Sequence, residues 1–330
     1  MKRILTGIKP TGLPHIGNYF GAIQPALSSA DQFESFYFIA DYHALTAVKD
    51  AHLMRDHTLE IAAAWLALGL DPQKTMFYKQ SDIPEIFEFC WILSCCAAKG
   101  LLNRAHAYKA AVDDNLKKHH DMDRDINHGL YSYPVLMAAD ILLFHADLVP
   151  VGVDQKQHIE IARDIATVVN KTYGDILTLP EPAIQEETKL IPGIDGLKMS
   201  KNYNNTIPLF LPEKKLRKRI MQIVTDSTPV EDSKDPGKCH VFAIFKLFLN
   251  EEEQANLRKR YQAGGVGYGT IKQELFETML AYFKDARSTY ESLMEHPEKI
   301  NDVLVIGQQK ARLVASQTLS TVKRAIGILA

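Results

Sequence analysis

Short apolar runs alternate with segments of helical length through the first hundred residues. Residues 3–7, 36–40 and 75–78 are compact apolar stretches that stop at glycine or polar positions, and helical segments fill 16–28, 52–69 and 84–98. Strands separated by helices of this length predict βαβ units, a parallel sheet and helices on both of its faces. The pattern returns at 148–152, a strand leading into a helix from Gln155 to about Lys171. Ligands of such sheets bind beyond the carboxyl ends of the strands, where Gly7, Asp41 and Gly152 fall.

Residues 107–129 interrupt the alternation. They are crowded with charge (Asp113, Asp114, Lys117, Lys118, Asp121, Asp123, Arg124, Asp125) and are expected to form an exposed, mobile insertion. The adjacent His119 and His120 have no helical i,i+4 histidine partner, so they read as solvated and not as metal ligands. After residue 205 the strand signal ends. Residues 213–224, 242–249, 251–262, 270–295 and 302–326 read as helices, punctuated by Pro208, Pro212, Pro229, Pro236 and Pro297. The glycine-rich 264–269 stretch follows no strand, which makes it a turn between helices and not a dinucleotide loop. The expected organisation is an α/β unit over 1–205 followed by an all-α unit over 206–330.

A chain of 330 residues is long enough for two such units. Its 46% hydrophobic and 24% charged residues are ordinary for a soluble globular protein. The first residues are too weakly apolar for a signal peptide, and no run is long enough to span a bilayer. Four cysteines (Cys90, Cys95, Cys96, Cys239) without a C-x-x-C spacing point to reduced thiols, hence a cytoplasmic protein without a structural metal. The net charge of −2 argues against a generic nucleic-acid binder, but its distribution is uneven. Residues 1–200 hold 18 Lys and Arg against 25 Asp and Glu, a balance of −7; residues 201–330 hold 20 against 15, a balance of +5. A phosphate backbone would be drawn to the second half.

Three places carry candidate chemistry. His15-Ile16-Gly17-Asn18 opens a helix after the loop Ile8-Lys9-Pro10-Thr11-Gly12-Leu13-Pro14. Free N–H groups and the positive end of the helix dipole make that turn an anion site. Gly17 allows close approach, and His15 and Asn18, three apart, can both donate to phosphate oxygens. Lys198-Met199-Ser200-Lys201-Asn202 places two lysines in a polar loop. Lysines on a mobile loop can follow the negative charge that grows on a departing pyrophosphate, a form of catalysis that needs no protein nucleophile. Tyr133, Met137 and Asp140 lie at i, i+4 and i+7, so one helix face presents a hydroxyl, a thioether and a carboxylate. Asp140 in an apolar run needs a partner: an indole N–H would suit it, and a local backbone or arginine contact would also serve.

The first two strings, in this order around an α/β pattern, resemble the HIGH and KMSKS motifs of class I aminoacyl-tRNA synthetases. The likeness sharpens with Thr6-Gly7-Ile8, Asp41-Tyr42-His43-Ala44-Leu45-Thr46, the Met137–Asp140 helix and Val149-Pro150-Val151-Gly152-Val153-Asp154-Gln155-Lys156-Gln157-His158. Their order is that of bacterial tryptophanyl-tRNA synthetases, and the likeness spans nearly the whole chain. It implies a Rossmann-type catalytic domain, a helical anticodon-binding domain, a homodimer, and the substrates L-tryptophan, ATP and tRNA(Trp), with Mg²⁺ arriving on the nucleotide. It implies catalytic roles for His15, Asn18, Lys198 and Lys201. ATP would be held by Lys9, Pro10, Thr11, Gly17, Asn18, Gly152, Val153, Asp154, Leu190 and the loop from Lys198 through Met199, Ser200 and Lys201 to Asn202. Tryptophan would lie among Gly7, His43, Tyr133, Met137, Asp140, Val151 and Gln155, with Asp140 on the indole nitrogen.

Tyrosyl-tRNA synthetases are the nearest rival, but they usually carry Gln where Met137 stands; a thioether favours the larger apolar ring. Two rivals of other kinds are a non-catalytic tRNA-binding paralogue, opposed by retention of both lysines, and a different adenylyl transferase on the same fold. Three departures stand out. Lys9 occupies a place often filled by Gln, Asn202 replaces the final Ser of KMSKS, and the charged insertion after Lys109 is longer than in the commonest forms.

Overall fold

The computed structural model describes residues 1–152, 155–184 and 191–329. Five strands, β1 (Arg3–Ile8), β2 (Glu34–Ile39), β3 (Thr75–Lys79), β4 (Leu148–Val151) and β5 (Glu181–Ile184), form one sheet in the order β3-β2-β1-β4-β5. Every pairing is parallel, with Gly7 opposite Phe38, Ile4 opposite Leu148 and Val151 opposite Ile184. This is the Rossmann-type α/β arrangement expected. Because β2 and β4 flank β1 on opposite sides, the order reverses beside β1, and the carboxyl ends of β1 and β4 are where ligands of such sheets bind.

Side chains alternate across the sheet as a period of two requires. On β2, Tyr37 and Ile39 enter one apolar cluster while Phe36 and Phe38 enter the other. The second cluster is covered by the helices Glu85–Cys96, His128–Leu142 and Lys156–Tyr173. The first runs from Ile4, Tyr37 and Trp65 into Leu216, Phe242, Ile271 and Met279, so residues on both sides of position 205 share one core. The last helix, Pro297–Ala325, contributes Ile300 and Leu304 to the first cluster and Ala311, Ala315 and Leu319 to the second. It therefore straddles the β3 edge of the sheet and shields it. The crossing depends on Gly307: a Cβ there would lie 1.8 Å from the Phe77 carbonyl oxygen.

Four of the five strands match the periodic reading. β5 was not expected, because Glu181-Pro182-Ala183-Ile184 has no apolar run; as an edge strand it tolerates Pro182. The charged stretch expected as an exposed, mobile insertion is helical over His106–Lys117, with no buried residue. Its following turn is tied down by the Asn115 amide, which donates to the Met122 and Arg124 carbonyls at 3.1 and 2.8 Å. The helix expected over 270–295 is two, Tyr268–Tyr282 and Lys284–Glu295. They part at Phe283, which is buried against Tyr19 and Phe248. The final helix starts five residues earlier than expected, with Pro297 in its first turn, where the missing N–H costs nothing.

Candidate active site

Beyond the end of β1 the chain reaches the start of the Ile16–Asn18 helix. His15 is the N-cap: its Nδ1 accepts the Asn18 backbone N–H at 3.3 Å, while Asn18 Oδ1 accepts the His15 N–H at 3.1 Å. Since Nδ1 is an acceptor, the ring proton sits on Nε2, which remains a donor along with the Asn18 amide nitrogen. Burial, and then the charge of Lys201, push the His15 imidazole down to about 4, so it is neutral at physiological pH. The reciprocal cap thus uses one polar atom from each side chain and leaves one donor on each. A Cβ on Gly17 would meet the His15 ring at 3.0 Å and Met199 Sδ at 3.6 Å, so glycine makes room for the second motif as well.

That second motif is pinned by its middle. Met199 is buried, and its N–H donates to the Ile191 carbonyl at 2.9 Å. Ser200 N–H donates to Asn205 Oδ1 at 2.7 Å, and the Asn205 amide donates to Asp195 Oδ1 and the Lys198 carbonyl. The two lysines are thereby turned to different surroundings. Lys198 is exposed, whereas Lys201 reaches back across 189 residues of sequence to the Gly12 carbonyl at 2.6 Å. Burial lowers the Lys201 ammonium to about 8, with Glu60 opposing the shift. The loop and the helix opening are one unit: Ile16 N–H donates to the Ile207 carbonyl, and Leu209 N–H to the Pro14 carbonyl, both at 3.0 Å.

On the His128–Leu142 helix, Asp140 is 1% exposed. Among the described residues, neither a backbone group nor an arginine satisfies it. Gln80 Nε2 donates to both carboxylate oxygens at 2.9 and 3.0 Å, and His43 Nε2 lies 2.8 Å from Oδ2. Burial pushes the Asp140 carboxyl above its ordinary range; His43 and Gln80 oppose that, and Asp41 adds to it. On the same helix the Tyr133 hydroxyl lies 2.5 Å from His158 Nε2, and the Lys9 ammonium stands 5.6 Å from the centre of the Tyr133 ring.

Sequence reasoning missed Gln80, Asn205 and the contact of His158 with Tyr133. Gln80 follows β3 immediately, so the carboxyl-end rule could have raised it; nothing local marks Asn205. Gly7 ends beside Phe38, whose ring a Cβ would strike at 2.5 Å, and Val151 is buried at the end of β4. Met137 is half-buried, while Gln155, next to the start of the Lys156–Tyr173 helix, is exposed. Pro10 is buried, Thr11 half-buried, and Gly152 follows β4. Val153, Asp154 and Leu190 lie outside the described residues, as does the side chain of Asn202.

A parallel sheet whose first strand feeds a glycine-containing loop and a capped helix start, faced by a lysine loop from beyond the sheet, defines a nucleotide-binding enzyme of the class I synthetase type. Residues 1–284 match the family of tRNA synthetases class I (W and Y), and the chain belongs to it. It is 49% identical to the tryptophan–tRNA ligase of Campylobacter jejuni over 326 residues, covering 99% of this chain and 100% of that protein. The tryptophan–tRNA ligase of Pseudomonas putida is likewise 49% identical over 331 residues, covering 99% of this chain and 74% of its own length. Among solved structures, the Campylobacter jejuni tryptophanyl-tRNA synthetase complexed with ADP and tryptophan superposes with a TM-score of 0.91 at 50% identity, covering 98% of this chain and 99% of that one.

Proposed function

We propose that this chain activates L-tryptophan with ATP and transfers it to tRNA(Trp), releasing pyrophosphate and then AMP. The observations that carry the reading are the capped His15–Asn18 turn beyond β1, Lys201 on the Gly12 carbonyl of the loop before it, and the buried Asp140 carboxylate held by Gln80 from the end of β3. Full-length relatives near 49% identity that are tryptophan–tRNA ligases favour tryptophan over tyrosine, as does Met137.

In this reading the tryptophan carboxylate attacks the α-phosphorus of ATP, and the bond to the β-phosphate oxygen breaks with its electrons leaving on pyrophosphate. The His15 Nε2–H and the Asn18 amide donate to phosphate oxygens; neither carries formal charge, so they orient without over-stabilising the ground state. Lys201, and Lys198 from the outer side of its loop, meet the charge that grows on the leaving group. The indole N–H is assigned to Asp140, and Lys9 to the polar end of the amino acid. The cationic and N–H donors here suit phosphate oxygens, and no group of three acidic, histidine or cysteine side chains able to hold a metal occurs among the described residues. Mg²⁺ carried by the nucleotide would neutralise part of the phosphate charge.

Residues 206–330, with their excess of positive charge, form the anticodon-binding part, and the enzyme works in the cytoplasm as a homodimer. No helix among the described residues is long and apolar enough to cross a membrane. The decisive test is ATP–pyrophosphate exchange with each of the twenty amino acids. Exchange driven by tryptophan alone is expected; exchange driven by tyrosine, or none at all, would overturn the assignment.

A further inference from the structure

The helix Ala51–Ala67 contributes none of the residues assigned above, yet one of its faces lies against the turn that Lys201 clasps. A methyl group built on Gly12 would stand 3.8 Å from His57 Nε2 and 3.9 Å from the Lys201 ammonium. One turn further along that face is Glu60. Its Oε2 is fully enclosed and has no hydrogen-bond partner among the described residues, and the same is true of His57 Nδ1. A carboxylate oxygen hidden from water without a donor is costly unless an opposite charge compensates it. Lys201, whose ammonium stands on the Gly12 turn that this face of the helix approaches, is the cation placed to do so. Burial, with Asp56 adding to it, raises the Glu60 carboxyl, and Lys201 is what opposes the rise. Glu60 in turn opposes the lowering of Lys201 by burial. The other titratable groups that feel this pair are His15 and His57, both lowered by burial and by Lys201, and Tyr290, raised by burial and by Glu60.

We propose that Glu60 is a positioning residue for Lys201: its carboxylate keeps the ammonium on the Gly12 turn while the site is empty, and a polyphosphate must draw the lysine away from it. The inference rests on the nucleotide-site reading above. The His15–Asn18 turn and the lysine loop are arranged for anions, whereas Glu60 is an anion built behind them. Its charge competes with phosphate for the same ammonium, so the full strength of the lysine is not spent on holding ground-state ATP or spent pyrophosphate. The device sets how tightly the site retains polyphosphate and leaves the amino-acid pocket alone.

The test is equilibrium titration of the full-length chain with magnesium pyrophosphate at pH 6.5, where Lys201, at about 8, is charged. Glu60→Gln keeps shape and removes the competing charge. It is expected to bind pyrophosphate about three- to ten-fold more tightly, the order of one partly screened charge pair. Tryptophan affinity and the thermal midpoint should match the parent. Combined with Lys201→Ala, the Glu60→Gln gain should vanish, because the carboxylate acts through the lysine. Unchanged or weaker pyrophosphate binding by Glu60→Gln overturns the proposal. So does a gain that persists undiminished without Lys201, since Glu60 would then repel the anion directly. A lower thermal midpoint with tryptophan and pyrophosphate weakened alike would overturn it in favour of a structural role. A parent chain that binds no pyrophosphate would instead refute the nucleotide-site reading itself.

Discussion

Replacing Gln80 with Met tests whether the Asp140 carboxylate is prepared for its substrate by its neighbours. Gln80 is fully buried, and its Nε2 is shared between both oxygens of Asp140 at 2.9 and 3.0 Å. Methionine has similar length and no donor, so Asp140 would keep only His43, 2.8 Å away. A hydrogen bond to a charged group is worth about 1.5–3 kcal/mol, and tryptophan kcat/KM should fall by roughly 10- to 150-fold. The pH profile gives a second, independent readout. Burial already raises the Asp140 carboxyl, and Gln80 is one of the groups holding it down; without Gln80 it rises further. A function that needs the ionised carboxylate is present above that value and lost as pH falls through it. The acid limb of kcat/KM for tryptophan should therefore move to higher pH, while the KM for ATP stays near the parent value. The assay is ATP–pyrophosphate exchange across the acid range at limiting tryptophan. An acid limb that does not move, with kcat/KM within about two-fold of the parent, would refute the argument that Gln80 tunes this carboxylate.

Lys201→Ala should slow single-turnover adenylate formation by about 10²–10³, the range for one preorganised electrostatic donor, and leave tryptophan binding intact; rapid-quench kinetics beside equilibrium tryptophan titration would check it. Lys198→Ala belongs in the same experiment, and a parent rate from both variants would remove the loop from the mechanism. Charge removal at Lys214, Lys215 and Lys218, all exposed, should weaken aminoacylation and flatten its salt dependence while sparing adenylate formation. Arg219 is a poor choice for that set, because its guanidinium is engaged with the Thr206 and Asn204 carbonyls. Gly307→Ala should cost about 3 kcal/mol or more in denaturant unfolding, since its methyl would lie 1.8 Å from the Phe77 oxygen; a parent midpoint would mean that the helix can shift off β3 freely.

What the sequence disclosed, and what it hid, follows from the range of the interactions involved. The four strands β1 to β4 are legible because each is an apolar run bounded by breakers, a local property. The His15–Asn18 cap is legible for the same reason, since three residues of one helical turn make it. The break at Phe283 is not local: Tyr19 and Phe248, both distant in sequence, hold that ring, and tertiary packing overrides continuous helical spacing. Gln80 meets Asp140 across 60 residues and Asn205 acts on a loop only by folding back on it, so neither leaves a pattern in its own neighbourhood. Met199 shows a subtler limit. The two lysines draw attention for their charge, but the residue that fixes the loop is the buried thioether between them.

The same distinction bears on how the helical half can influence the chemistry. Were it a separate body, tRNA bound there could reach the nucleotide site only by bringing its own acceptor end to it. The contacts indicate a tighter connection. The chain leaving the lysine loop bonds to the helix opening through Ile16 and Leu209, and Arg287 holds the same segment by donating to the Leu209 and Leu211 carbonyls at 3.0 and 2.8 Å. Further on, Arg312 donates in bidentate fashion to buried Glu85, with Ser316 adding a third donor, which anchors the last helix to the start of Glu85–Cys96. Burial would raise the Glu85 carboxyl, but these donors hold it below its usual range, so the clasp persists above the acid region and loosens only as pH falls through it. Gly307 adds a contact with β3 that admits almost no sliding. A displacement of the helical half therefore cannot leave the lysine loop in place, because segment 206–211 is bonded to both. Lys201 and the His15–Asn18 turn lie on that same bonded unit, so motion of the helical half would carry the two together.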